Sequence, residues 1–92
     1  MAKDPRYKTV KIMLETGNIS QFSEIFDIIP RSIVSADIGM NYTRFVNRLK
    51  KPELFILKEL LTIAHYIGVD KKLIVDLIMN DISSRKPVRK PR

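Results

Sequence analysis

Apolar residues recur at helical spacing in the first third of the chain. A first helix is predicted over residues 6–16, where one side carries the apolar residues Val10, Met13 and Leu14. Gly17 marks its end, because glycine most easily takes the left-handed conformation that closes a helix. A second helix is predicted over residues 21–29, with Ser20 as its N-cap. Its buried stripe follows the i, i+3, i+4, i+7 series of Phe22, Ile25, Phe26 and Ile29.

Residues 33–49 are predicted to form a short helix, a tight turn and another helix. The short helix has apolar or small residues on its buried side, namely Ile33, Val34 and Ala36. Gly39 ends it, and Asn41 is a suitable N-cap for the helix that follows, residues 41–49. The inward side of that helix carries Phe45, Val46 and Leu49.

Two further helices are predicted after Pro52, which ends the preceding helix and begins a short connection. The helix over residues 57–67 has an apolar stripe of Leu57, Leu60, Leu61, Ala64 and Ile67. Gly68 closes it, and Asp70 caps a final helix over residues 71–80. The inward positions of this last helix are Leu73, Ile74, Leu77 and Ile78.

No segment shows the strict apolar–polar alternation or the Asn-Gly and Asp-Gly turns of a β-hairpin. The predicted fold is therefore all-α, a compact bundle of five to six short helices. Residues 1–5 are expected to form a flexible lead-in and residues 6–82 a single domain. Residues 83–92 have two prolines, dense positive charge and no apolar period, so we expect a disordered basic tail.

The composition narrows the possible classes of protein. The 92 residues are 45% hydrophobic, which suits a small globular core. Cysteine is absent, which excludes disulfides and thiol chemistry. No apolar run approaches the length of a membrane span, and the first residues lack the apolar core of a signal peptide. We therefore expect a cytoplasmic protein without membrane association.

Catalytic and cofactor-binding patterns are not found in the sequence. The serines lie in no Gly-x-Ser-x-Gly turn, and no glycine-rich loop resembles a phosphate-binding loop. His65 is the only histidine and is expected near the solvent side of its helix, so it cannot form a usual metal site alone. We expect no enzyme activity, no cofactor, no metal and no small-molecule substrate.

Charge is concentrated in two places. The net charge is +7, but five of the 17 basic residues lie in the last eight positions, which leaves 12 basic and 10 acidic residues in the first 84. Residues 41–51 hold four basic residues and no acidic one. The predicted outward side chains there are Tyr42, Thr43, Arg44, Asn47 and Arg48, followed by Lys50 and Lys51. Such a helix suits DNA, because arginine pairs with guanine, asparagine with adenine, and lysines and hydroxyls with phosphates.

The alternative for this cluster is an ordinary solvated helix face. Four cations without a nearby carboxylate repel one another, however, and a purely structural helix gains nothing from that repulsion. Tyr42 fits either a base or sugar contact or packing at the edge of the domain. The basic tail fits either added nonspecific DNA affinity through counterion release or a solubilising end.

Residues 31–80 resemble the lambda-repressor/Cro-like helix-turn-helix family, of the xenobiotic-response-element type. The segments that carry the resemblance are ADIGMNYTRF and LKELLTIAHYIGVDKKLI. The resemblance implies a helix-turn-helix DNA-binding domain over residues 6–82 and double-stranded DNA as the partner. It places the DNA contacts at Asn41, Tyr42, Thr43, Arg44, Asn47 and Arg48.

Together these observations predict a transcriptional regulator whose helix at 41–49 enters the major groove. Arg44 and Asn47 are expected to read bases, and the phosphate contacts are assigned to Thr43, Arg48, Lys50 and Lys51. A homodimer is expected, since one short helix reads only a few base pairs. Four apolar residues are expected either to form the contact patch of this dimer or to complete the core: Phe55, Ile56, Ile63 and Met79. The alternative function is a protein-interaction module, such as an antitoxin-like partner or a complex subunit, on the same fold.

Overall fold

Each predicted helical segment corresponds to a helix in the computed structural model, which describes residues 4–84. The described part is all-α, with five α-helices, two short 3₁₀ helices and no strand. The α-helices are α1 (Arg6–Glu15), α2 (Arg31–Asp37), α3 (Tyr42–Lys50), α4 (Leu57–Ile67) and α5 (Lys71–Ser84). The first 3₁₀ helix is Phe22–Asp27 and the second is Pro52–Leu54. Within residues 4–84, no helix has both the length and the apolar character needed to cross a bilayer.

A cluster of four phenylalanines lies at the centre of the core. Phe22 contacts Phe26 and Phe55 edge-to-face, with ring centroids 5.4 and 5.7 Å apart. Phe45 contacts the same two partners at 5.5 and 6.2 Å. Each ring therefore touches two others in the geometry that aromatic quadrupoles prefer. The cluster joins the first 3₁₀ helix, α3 and the residue after the second 3₁₀ helix.

The three predicted glycine turns and the predicted caps Asn41 and Asp70 agree with the structure. The three glycines Gly17, Gly39 and Gly68 have positive φ angles of 77°, 73° and 90°. Asn41 caps α3, because its side-chain oxygen accepts the backbone N–H of Arg44 at 3.1 Å. Asp70 accepts the backbone N–H of Lys72 at 2.8 Å at the start of α5.

The segment predicted as a regular helix at residues 21–29 forms the first 3₁₀ helix instead. Its beginning is held by two carboxylates rather than by the predicted cap Ser20. Glu24 accepts the backbone N–H groups of Ser20 and Gln21 at 2.8 and 3.1 Å. The buried Asp81 of α5 accepts the backbone N–H of Phe22 at 3.2 Å. Contacts from α5, distant in sequence, thus shape this short helix.

Helix α5 continues beyond the predicted end at residue 80 and includes two residues assigned to the tail. Burial of Asp81 and packing of Ile82 against the core explain the extension, because both anchor the last turn. The remainder of the predicted tail, residues 85–92, and the lead-in residues 1–3 lie outside the described part of the chain. Asp4 is tied to α1, where the hydrogen bond from the Arg6 guanidinium lowers the pKa of its carboxyl to about 2.

Four apolar residues were predicted to form either a dimer contact patch or part of the core, and their burial in the structure differs. Phe55 and Ile63 are buried and belong to the core, whereas Ile56 and Met79 are exposed. Some inward assignments are wrong, since the structure leaves exposed the side chains of Ala36, Leu57, Leu61 and Leu73. On α4 the buried side is narrower than the sequence predicted and consists of Leu60, Ile63, Ala64 and Ile67.

Helix α1 is attached to both α2 and α4 through Tyr7. Its hydroxyl donates a 2.7 Å hydrogen bond to the Asp37 carboxylate at the end of α2. Its ring lies 5.7 Å from the ring of Tyr66 in α4. Burial, and then the hydrogen bond to Asp37, raise the pKa of the Tyr7 hydroxyl well above its ordinary value. The hydroxyl therefore stays protonated and remains a hydrogen-bond donor.

We expect Asp81→Ala to lower the free energy of unfolding by about 1–3 kcal/mol, because it leaves the buried N–H of Phe22 without this acceptor. Asp76→Ala is the matched control, since Asp76 lies on the same helix but is exposed. Asp76→Ala should lower the free energy of unfolding by no more than about 0.5 kcal/mol. Urea unfolding followed by circular dichroism measures both values. Equal losses would show that Asp81 does not secure the first 3₁₀ helix.

Candidate nucleic-acid interface

Helix α3 is fixed in the fold by its first turn and by one buried ring. Gly39 allows the chain to reverse after α2, and the buried Met40 donates its backbone N–H to the Ser35 carbonyl at 2.8 Å. Asn41 then caps the helix. Phe45 is fully buried in the phenylalanine cluster, so the opposite side of α3 faces solvent.

The exposed side of α3 carries most of the residues predicted from sequence. Thr43, Asn47 and Lys50 follow one another at i, i+4 and i+7 on the side opposite Phe45, and all three are exposed. Asn41, Tyr42, Arg44 and Lys51 are also exposed. Seven of the eight predicted contact residues are therefore accessible to a large partner. We define the ridge as Thr43 and Asn47, and we treat Lys50 at its C-terminal end as a flanking cation.

Arg48 differs from the other predicted contacts. Its guanidinium forms an ion pair with the Glu59 carboxylate of α4, and the two side chains are only 18% and 14% exposed. The same carboxylate oxygen accepts the backbone N–H of Ile56 at 3.1 Å. The expectation that the four cations have no carboxylate nearby is thus wrong for Arg48. It connects α3 to the start of α4 and is not presented on the ridge.

A cavity lies on each flank of α3, and each is bordered by a pair of cations from different elements. On one flank, Arg44 of α3 and Lys58 of α4 line a cavity of about 200 Å³, together with Glu59, whose carboxylate is paired with Arg48. On the other, Lys50 of α3 and Arg31 of α2 line a cavity of about 320 Å³. The ridge therefore has positive charge on both sides.

Arg31 and Lys58 were missed by sequence reasoning. Each is an isolated cation in a separate helix, 13 residues before Arg44 and seven residues after Lys51 respectively. No local pattern signals that they share cavities with residues of α3, because the tertiary fold brings them there. Their separation along the chain hides the cavities that they share with Lys50 and Arg44.

Other sites for chemistry are sparse in the described residues. His65 is exposed, and its ring lies 5.9 Å from that of Tyr66. Among residues 4–84, no three His, Asp or Glu side chains come together as a metal site would require. Comparison with protein-family models, with curated proteins and with solved structures gives no match. The physical arrangement around α3 is therefore the basis for assigning a function.

We expect the Arg48–Glu59 pair to couple α3 to α4 energetically. A double-mutant cycle with Arg48→Ala and Glu59→Ala should give an interaction energy of about 1–3 kcal/mol, because both groups are shielded from water. The matched control is the exposed pair Lys11–Glu15 within α1, for which about 0.3–0.5 kcal/mol is expected. Urea unfolding of the single and double variants supplies both energies. A coupling no larger than that of the control would contradict the anchoring role.

Proposed function

We propose that the protein binds double-stranded DNA sequence-specifically through α3 and acts as a transcriptional regulator. The observation that carries the proposal is the ridge of polar side chains with a pair of cations on each flank. A major groove is about 12 Å wide and admits one helix, and a phosphate backbone runs along each of its edges. Paired cations on both sides of a projecting helix are complementary to that arrangement.

The roles of individual residues follow from their positions. Asn47 and Thr43 lie on the ridge and are assigned to base edges, where asparagine can pair with adenine through two hydrogen bonds. Arg44, placed beside Lys58 on the flank, is assigned to phosphate rather than to a base. Lys50, with Arg31, is assigned to the opposite strand. Arg48 is given no DNA contact, because it is held by Glu59.

The resemblance to the lambda-repressor/Cro-like family supports this proposal. The segment that carries the resemblance runs from α2 through the Gly39 turn into α3, in the order expected for a helix-turn-helix. The family's implied contacts at Asn41, Tyr42, Thr43, Arg44 and Asn47 are all exposed. Arg48 departs from that pattern because it is ion-paired and only 18% exposed.

A homodimer belongs to the same proposal. One helix of nine residues contacts only a few base pairs, so a second copy would be needed to reach useful specificity. Exposed apolar side chains available for such a contact include Ile56 and Met79, for which the sequence left a contact patch and the core as alternatives, and also Leu54, Leu57 and Leu61. Sedimentation equilibrium of the full chain with and without DNA would establish the number of copies.

The deciding experiment is fluorescence anisotropy with a random-sequence DNA duplex at two salt concentrations. Arg44→Ala/Lys50→Ala should weaken binding several-fold and reduce the slope of log affinity against log salt by about 2, since two phosphate contacts are lost. Lys71→Ala/Lys72→Ala removes the same charge from α5 and should change binding much less. A chain ending at Ser84 isolates the contribution of the basic tail.

Three results would contradict the proposal: no binding at low salt, equal losses in the two double variants, or loss only on truncation. The alternative of a protein-interaction module would then take precedence, with an acidic protein surface bound by the same cations. If the variants behave as expected, selection from a random DNA library should yield a preferred site. Asn47→Ala should relax the preference at one base position at a cost of about 1–3 kcal/mol.

A further inference from the structure

We propose that α3 recognises the C5-methyl group of a pyrimidine in the major groove through two apolar side chains, Tyr42 and Val46. We call these two residues the apolar row. The methyl group is that of thymine or of 5-methylcytosine. The inference rests on the proposed function and specifies a feature of the DNA that α3 selects, in addition to the hydrogen-bonding groups assigned to the ridge.

The apolar row lies directly beside the ridge on α3. Tyr42 is the first residue of the helix and Val46 follows one turn later at i+4, so their side chains are neighbours. Thr43 and Asn47 of the ridge each lie one position further along the chain. Because successive residues of a helix are separated by about 100°, the two rows are parallel and adjacent. One row is apolar and the other is polar.

The Tyr42 side chain has neither an aromatic nor a hydrogen-bonding partner within residues 4–84, and it is 49% exposed. The other two tyrosines differ. Tyr7 is buried and hydrogen-bonded through its hydroxyl, and Tyr66 is half-buried with its ring against that of Tyr7. Packing at the edge of the domain therefore leaves half of the Tyr42 surface open, where a partner outside the fold can cover it.

Val46 extends this apolar surface towards the flank of α3. It is half-buried and lines the cavity between α3 and α2, together with the exposed Arg31. The apolar row thus lies between the ridge, assigned to base edges, and a cation assigned to phosphate. The C5-methyl group of a pyrimidine projects into the major groove, at the end of the base edge nearest to its own backbone. The place of the row on α3 corresponds to that position in the groove.

A methyl group is recognised by apolar contact, which is what the apolar row can provide. Thymine is the only one of the four bases that presents an apolar group in the major groove, and methylation at C5 gives cytosine the same group. Burial of one methyl group against an apolar surface corresponds to about fourfold in affinity. A contact from Tyr42 to a sugar would give no dependence on this group, so the presence of the methyl group distinguishes the two contacts.

The test compares the affinity of the full chain for two alternating duplexes, one of adenine and thymine and one of adenine and uracil, by fluorescence anisotropy. Uracil lacks only the C5-methyl group and keeps every hydrogen-bonding group of thymine. An alternating duplex repeats the same steps along its length, so the operator sequence need not be known. We expect about fourfold tighter binding to the thymine duplex. Equal affinities would overturn the inference.

Substitutions establish whether Tyr42 carries the preference. Tyr42→Ala should remove most of the preference for thymine, whereas Tyr42→Phe should keep it because the ring is retained. Ile12→Ala is the matched control, since Ile12 is similarly exposed, at 53%, but lies on α1. Val46→Thr, which replaces one methyl group with a hydroxyl, should reduce the preference and serves as a second variant if circular dichroism shows that Tyr42→Ala is misfolded.

Three results with these variants would contradict a role for the apolar row. They are a full preference in folded Tyr42→Ala or in Val46→Thr, loss of the preference in Tyr42→Phe, and an equal loss in Ile12→Ala. The first would assign the methyl effect to another residue or to the shape of the duplex. The second would assign it to the Tyr42 hydroxyl.

The same comparison with cytosine tests the methyl group itself. An alternating guanine–cytosine duplex should bind more tightly when it contains 5-methylcytosine, and Tyr42→Ala should remove this gain. A preference for thymine without one for 5-methylcytosine would show that the methyl group is not the feature recognised. Absence of binding to every duplex at low salt would contradict the proposed function, and this inference with it. Binding that does not depend on the methyl group would contradict this inference alone.

Discussion

Edge-to-face packing of four phenylalanine rings is the interaction on which the rest of the structure depends. These are all the phenylalanines in the chain, and they come from three separate segments. Because Phe45 is fully enclosed by this packing, the rotation of α3 about its own axis is fixed. Thr43 and Asn47, on the opposite side of the helix, therefore face solvent. The candidate interface is thus a consequence of how the core is built.

Polar contacts between different elements, outside the phenylalanine cluster, also stabilise the packing of the helices. Asp81 holds the start of the first 3₁₀ helix, Glu59 holds Arg48 of α3, and Asp37 holds Tyr7 of α1. Each joins side chains or backbone groups of two different elements. In a chain of this size the apolar core alone supplies a small margin of stability, so such contacts are a significant part of the total.

Local features of the fold were predictable from the sequence, and features that depend on distant residues were not. Gly39 and Asn41 specify the turn and the cap before α3 by their own conformational preferences, so the exposed side of α3 could be inferred. The first residue of the first 3₁₀ helix, Phe22, donates its backbone N–H to Asp81, 59 residues away. The pairing of Arg48 with Glu59 spans 11 residues and two helices. Arg31 and Lys58 join the interface only through packing, which explains why no local pattern revealed them.

The distribution of charge around α3 is hard to explain by stability alone. One cation of the cluster, Arg48, is matched by a carboxylate and serves the fold. Arg44, in the first turn of α3, and Lys51, directly after its last residue, remain exposed, as does Arg31 of α2. Like charges gathered in this way repel one another and lower stability. Groups that weaken the isolated fold are typical of binding surfaces, where a partner supplies the missing charge. The anionic partner proposed for α3 would remove this repulsion.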